Sequence, residues 1–262
     1  MELEAARGRG DSATKESMAN TEGFVLAYAG RLQEARAMSR RAEDFARQAD
    51  RKGTEALYQT DAAVREALFG NAQAAKQSAT AALRLSQSRD LVYGAALAGD
   101  SSRSQGLVDD LSRRFPEDTR VRFAYMPTLL ALLALNHNAP SKAVELLQTA
   151  IPYEDGVRSA GSEILIGAGT LYPNYVRGQA YLAAGQGREA AIEFQKILAH
   201  RGIVLSDPIG ALAQLQLARA YAFSGDRDNA RAAYKDFLSL WKNADSSIPV
   251  FNQAKAEYAK LQ

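Results

Sequence analysis

The stretch Leu217–Phe237, LARAYAFSGDRDNARAAYKDF, shows how this chain of 262 residues is built. Two alanine-rich, helix-patterned segments flank the turn residue Gly225, and the small residue Ala230 follows five positions later. Glycine adopts the left-handed backbone that ends a helix, and a small residue lets the next helix pack closely. The same device occurs as Gly30/Ala35, Gly70/Ala75, Gly99/Ser104, Asn138/Ala143, Gly185/Ala190 and Gly225/Ala230. The pattern predicts an array of six helix pairs, and such arrays usually bind rather than catalyse.

The residues around each turn also repeat, most completely in the fifth and sixth units. A small residue lies seven positions before the turn residue, an aromatic lies four before, and apolar residues lie nine and twelve after. These positions are Gly178, Tyr181, Phe194 and Ile197 in one unit, and Ala218, Tyr221, Tyr234 and Phe237 in the other. This pattern resembles the tetratricopeptide (TPR) repeat, a helix pair of about 34 residues. The resemblance implies an all-α fold, a right-handed superhelix (α-solenoid) of about six TPR-like pairs with a C-terminal capping helix.

Turn residues, prolines and glycines divide the chain into five segments. We expect a flexible lead-in at 1–14, four degenerate units at 15–151, an irregular glycine-rich insert at 152–170, two well-formed units at 171–244 and a capping helix at 245–262. Pro127, Pro173 and Pro208 are each expected to open a helix, with Asp207 as an N-cap, and Pro249 to open the last one. In that last helix, Phe251 and Tyr258 share an apolar face, and Glu257 lies mostly away from it.

Composition excludes several classes of function. The 32 basic and 30 acidic side chains leave a net charge of +2, which gives no electrostatic basis for binding nucleic acid. The absence of cysteine excludes disulfides and thiolate chemistry, and the two histidines lack metal-ligand spacing. Because the sequence contains neither a nucleophile motif nor a phosphate-binding loop, we predict no catalytic, metal or cofactor residues and no enzymatic activity. No apolar run reaches the roughly 20 residues of a membrane span, so a cytoplasmic location is the default expectation.

The first helix of each pair is expected to line the concave face of the array. Counting back from the turn residues places five candidate partner-binding residues there: Tyr125, Tyr172, Tyr175, Gln179 and Arg219. Tyrosine offers apolar area with a hydroxyl at its tip, and arginine offers a fork that fits a carboxylate or phosphate. Tyrosines at helical spacing also pack between repeats, and the sequence leaves both roles open. Asp61 occupies a position where the carboxylate-clamp subclass of TPR proteins has asparagine, so that subclass is not expected.

A narrower resemblance covers almost the whole chain. It is carried by Arg113–Thr119, Leu171–Pro173, Tyr175–Leu182, His200–Val204, Asp207–Ala211 and Asp236–Trp241. These stretches resemble the C-terminal TPR tail of acidobacterial serine/threonine protein kinases and winged-helix regulators. The chain has no glycine-rich nucleotide loop, His-Arg-Asp loop or Asp-Phe-Gly motif, so no kinase activity is expected. The sequence thus predicts a scaffold or adaptor for a protein or peptide partner. The alternative is a detached regulatory or sensor region, extracytoplasmic if its parent kinase is membrane-anchored.

Overall fold

The described part of the chain is built from α-helices and contains no strand. A computed structural model describes residues 12–99, 101–154 and 171–262. Its fourteen α-helices are α1 Ser12–Tyr28, α2 Leu32–Gln48, α3 Lys52–Phe69, α4 Ala72–Leu85, α5 Arg89–Leu97, α6 Ser101–Arg114, α7 Met126–Asn136, α8 Pro140–Leu147, α9 Tyr172–Ala183, α10 Gly187–Ala199, α11 Arg201–Val204, α12 Pro208–Phe223, α13 Arg227–Leu240 and α14 Pro249–Ala259. A π-helical turn, Val121–Tyr125, precedes α7, and a 3₁₀ helix, Gln148–Tyr153, follows α8.

Two of the expected irregular segments lie largely outside the described residues. Helix α1 begins at Ser12, so it includes the last three residues of the expected lead-in at 1–14. The 3₁₀ helix and Glu154 include the first residues of the expected insert at 152–170, whose remainder is not described.

The six predicted helix pairs are confirmed as α1/α2, α3/α4, α5/α6, α7/α8, α9/α10 and α12/α13. Five of the six turn residues have a positive φ, including Asn138 at 55°. The small residue that follows each turn is buried in all six pairs. The expectation of a left-handed Gly99 is wrong, because its φ lies outside that region. There the hydroxyl of Ser104 donates to the carbonyl oxygen of Ala96 at 2.6 Å, so this carbonyl in the last turn of α5 has a hydrogen-bond partner.

The repeat residues form the seam inside each pair, as the fifth unit shows. A Cβ atom added to Gly178 in α9 would lie 2.6 Å from two ring carbons of Phe194 in α10. Real Cβ atoms do not approach this closely, so the absence of a side chain at 178 is what lets the aromatic ring lie against α9.

Proline opens three of the four helices as expected, and Pro127 is the exception. The Asp207 carboxylate caps α12 by accepting from the amide of Ile209 at 3.0 Å. Before Pro127, however, helical backbone already runs through the π turn Val121–Tyr125. Proline cannot donate a backbone hydrogen bond, and a wider π turn is one way for a helix to continue past it.

The two ends of the array pack against each other. The indole of Trp241, after α13, is fully buried, lies 5.1 Å from the ring of Phe69 and donates to the carbonyl oxygen of Tyr28 at 2.9 Å. The amide of Asp245 donates to the carbonyl oxygen of Gly30 at 3.0 Å. Helix α12 contacts α1 and α3, and α14 contacts both α13 and α3. The all-α solenoid is therefore closed on itself, and α14 lies between the last pair and the second one.

Candidate functional site

The first helices of five pairs, together with α14, surround one cavity of about 310 Å³. Helices α3, α5, α7, α9, α12 and α14 each contribute side chains to its wall. The lining residues are Val64, Ala67, Leu68, Gly70, Leu97, Leu132, Tyr172, Tyr175, Val176, Gln179, Gln216, Arg219, Val250 and Gln253. Most of this wall is apolar, with a few polar groups that fix orientation, which is the usual composition of a binding pocket.

Four of the five candidate binding residues meet in this cavity. Tyr172, Tyr175 and Gln179 lie at positions i, i+3 and i+7 of α9, which places them on one face, and Arg219 joins them from α12. The two phenols are nearly buried: the Tyr172 hydroxyl donates to Asp207 Oδ1 at 3.2 Å. Burial raises the pKa of both phenols, so both keep their protons at physiological pH. The hydroxyl of Tyr175 accepts from Gln216 Nε2 at 3.4 Å. Both phenols offer ring surface to the cavity while their hydroxyls are held by the protein.

The fifth candidate, Tyr125, lies elsewhere. Its ring stacks on Tyr93 with centroids 3.7 Å apart, and its hydroxyl donates to Asp90 Oδ1 at 2.7 Å. It is 1% exposed and does not line the cavity, so the structure corrects its placement. Counting back from the turn assumed an uninterrupted α-helix. The π turn before Pro127 takes an extra residue, which rotates the preceding positions away from the concave face.

The side chain of the candidate residue Arg219 is held by Glu257, which sequence reasoning had placed away from the apolar face of its helix. Arg219 Nε and Nη2 donate to Glu257 Oε2 and Oε1 at 2.9 and 3.0 Å, a bidentate pair between α12 and α14. The hydroxyl of Tyr234 donates to the same carboxylate at 2.9 Å. Burial alone would lower the pKa of Arg219, but the hydrogen bonds and charge of Glu257 outweigh it and raise that pKa.

The sequence did not predict that α14 forms one side of the cavity. Val250, Gln253 and Glu257 are spaced i, i+3 and i+7 and so lie on one face of that helix. From this spacing the sequence could have predicted that the three residues share a face. It could not predict which part of the protein that face contacts.

A second cluster of buried charge lies between the fourth and fifth units. The guanidinium of Arg177, 1% exposed, bridges the carboxylates of Glu154 and Glu193, and its Nη2 lies 2.5 Å from Glu193 Oε2. Asn174 Nδ2 donates to Glu154 Oε2 and Glu193 Oε2 at 3.0 and 3.1 Å. Because Arg177 pairs with both carboxylates and none of the three side chains lines the cavity, we interpret the cluster as a contact that joins two repeats.

Comparisons with known proteins identify no family. No family model matches the chain, and no curated protein matches it. Among solved structures, the chain is similar to the TPR domain of P58(IPK), with 14% identity. The alignment covers 94% of this chain and 79% of that one, and the TM-score is 0.35. The TPR-like assignment therefore depends on the helix pairs and their seams, and the likeness to kinase tails stays a prediction.

The described residues contain no group of three or more histidine, cysteine or acidic side chains placed to hold a metal ion. None of the helices in the described ranges has the length and apolar character needed to cross a membrane.

Proposed function

We propose that this chain is a non-enzymatic TPR-like scaffold that binds a protein or peptide partner on its concave face. The observation that carries this proposal is the convergence of helices from five repeats on one cavity with aromatic, amide and guanidinium groups in its wall. Within the described part of the chain, the side-chain amides of Gln179 and Gln253 make no hydrogen bond, so they are available to a ligand.

The size of the cavity limits what enters it. A volume of about 310 Å³ is at the lower end of the range for ligand pockets, roughly 300–1,000 Å³. It accommodates a few side chains of a partner, and the remainder of the partner would lie across the rim. This favours recognition of a short anchor segment, as when one face of a helix or a peptide inserts its side chains into a groove.

The ionisable groups in the wall support a binding role over a catalytic one. They are Tyr172, Tyr175 and Arg219, and each of these side chains has a raised pKa. All three therefore keep their protons at neutral pH, and none acts there as a general base. The alternative, a regulatory region of a kinase or transcription regulator, is supported by the sequence resemblance alone.

Photo-crosslinking at one position inside the cavity tests the proposal. Benzoylphenylalanine replaces Gln179 in the full chain, and a matched protein carries it at Lys235, which is exposed on α13. After irradiation in the source cell, we expect discrete protein adducts from position 179 that position 235 does not form. Identical adducts from both positions, or adducts from position 235 alone, would contradict binding at the concave face.

A further inference from the structure

Helix α14 occupies part of the concave face as a ligand would. Val250 and Gln253 form one wall of the cavity, and one turn further on Glu257 holds the guanidinium of Arg219. Sequence reasoning had proposed that Arg219 binds a carboxylate or a phosphate of a partner. In the structure the chain supplies that carboxylate itself.

The anchors of this segment lie before the helix. The buried side chains of Trp241 and Ile248 precede α14, and Asp245 Oδ2 accepts from the amide of Gln33 at 2.7 Å. These contacts join the segment to the N-terminal pair.

The helix itself is held much less strongly towards its C-terminal end. Phe251 and Ala254 are buried, and the ring of Phe251 lies 5.8 Å from that of Trp241. From Lys255 to Gln262 no residue is buried. That half is attached through the ion pair of Glu257 with Arg219, whose side chains are 34% and 22% exposed, and through Tyr258 and Leu261, which are half-buried against the core. An isolated helix of eleven residues is only marginally stable in water, so α14 needs its packing against the rest of the chain to stay helical.

We propose that α14 is a displaceable occupant of the concave face and that the partner is an amphipathic helix with a carboxylate side chain at the position of Glu257. Such a helix presents an aliphatic, an amide and a carboxylate side chain at positions i, i+3 and i+7, in the pattern of Val250, Gln253 and Glu257. Its carboxylate replaces Glu257 as the bidentate partner of the Arg219 guanidinium, and its aliphatic side chain packs against the apolar lining of the cavity. This inference rests on the proposed function, since it concerns the same cavity.

The charge of Arg219 decides which helices compete. A bidentate arginine–carboxylate contact is geometrically specific, so a helix with lysine or glutamine at the third position lacks the contact that replaces Glu257. The tethered α14 competes at an effective concentration in the millimolar range, as expected for a short linker. Free peptides therefore bind poorly until the internal contact is weakened.

The test uses a labelled synthetic peptide of residues 248–262 as the probe and the full chain as the receptor. The chain is wild type, Glu257→Lys, or the matched control Glu145→Lys. Glu145 pairs with Lys142 on the exposed side of α8, so the control makes the same charge change away from the cavity. Lysine at 257 faces the Arg219 guanidinium and repels it. Circular dichroism verifies folding, and Glu257→Gln replaces Glu257→Lys if the latter does not fold.

Three readouts are expected to change in Glu257→Lys. Amide hydrogen exchange in residues 250–259 accelerates at least tenfold in Glu257→Lys. Emission of the single tryptophan shifts to the red as the Phe251 ring leaves it. The peptide binds Glu257→Lys at least tenfold more tightly than wild type or Glu145→Lys, and a peptide with Glu257→Gln loses that gain.

Four results would overturn the inference. If the peptide binds all three receptors equally, α14 is only a structural cap. The same conclusion follows if hydrogen exchange accelerates in Glu257→Lys but the peptide does not bind. A concentration-dependent dimer of Glu257→Lys makes a second copy of the chain the occupant. The position-179 crosslinking experiment, repeated in Glu257→Lys, separates the two proposals. Adducts of equal yield in both backgrounds leave the proposed function standing and remove this inference, whereas adducts in neither remove the proposed function.

Discussion

Replacing Arg177 by methionine should destabilise the chain by about 3–5 kcal/mol at pH 7, the usual cost of removing one partner from a buried ion pair. Methionine fills a similar volume but carries no charge. The change leaves the carboxylates of Glu154 and Glu193, each 7% exposed, without their shared cation. Lys196 offsets part of the loss, because its Nζ lies 2.9 Å from Glu193 Oε1.

The cost should depend on pH in a defined direction. Burial alone would raise the pKa of Glu193, but Arg177 and Lys196 outweigh it and hold that pKa below its ordinary 4.5. A carboxyl group with a lowered folded-state pKa stabilises the protein above its unfolded value and loses that effect as the pH falls through the folded one. Without Arg177, this contribution is largely gone already at pH 7. The difference between wild type and variant should therefore shrink from pH 7 to pH 4.

Urea unfolding followed by far-UV circular dichroism at the two pH values measures both effects. The matched control is Arg231→Met, whose ion pair with Asp228 is exposed, with side-chain exposures of 48% and 88%. It should change stability by no more than about 0.5 kcal/mol. A loss below about 1 kcal/mol for Arg177→Met at pH 7, or an equal loss at both pH values, would refute the reasoning.

Three further experiments test the seam within a helix pair, the closure of the array and one titrating group. Gly178→Ala places a methyl group 2.6 Å from an aromatic ring and should cost about 1–3 kcal/mol in urea unfolding, whereas Gly106→Ala, in open space within α6, should gain about 0.5–1 kcal/mol. Gly30→Ala and Gly225→Ala both strain a left-handed residue, with φ of 74° and 80°, but only the first meets the C-terminal segment, 2.6 Å from a methyl carbon. It should cost at least about 1 kcal/mol more and shift the tryptophan emission to the red; equal costs would mean that the two ends do not pack in solution. Burial raises the pKa of Glu43 to about 7, so its contribution to stability falls as the pH rises from 5 to 8. The melting temperature of Glu43→Gln relative to wild type should rise over that range, and a constant difference would mean that the half-buried carboxyl of Glu43 does not titrate there.

Most of the fold follows from local sequence signals. A residue that tolerates positive φ and a small residue five positions later place the turn between the two helices of each pair, and these residues are close in the chain. The same local geometry brought Tyr172, Tyr175, Gln179 and Arg219 to one cavity, because helical periodicity fixes which residues share a face. It failed at Tyr125, where a π turn changed the periodicity that the count assumed.

The sequence by itself determined the helix pairs, their seams and the faces of most first helices, since each depends on backbone preferences and side-chain spacing within one unit. Only the tertiary structure decided that the array closes, because that closure joins Trp241 to Tyr28 and Asp245 to Gly30 across more than two hundred residues. No local pattern encodes a contact at that separation. The same closure placed α14 over the cavity and gave Arg219 the partner, Glu257, that its own neighbourhood in the sequence did not reveal.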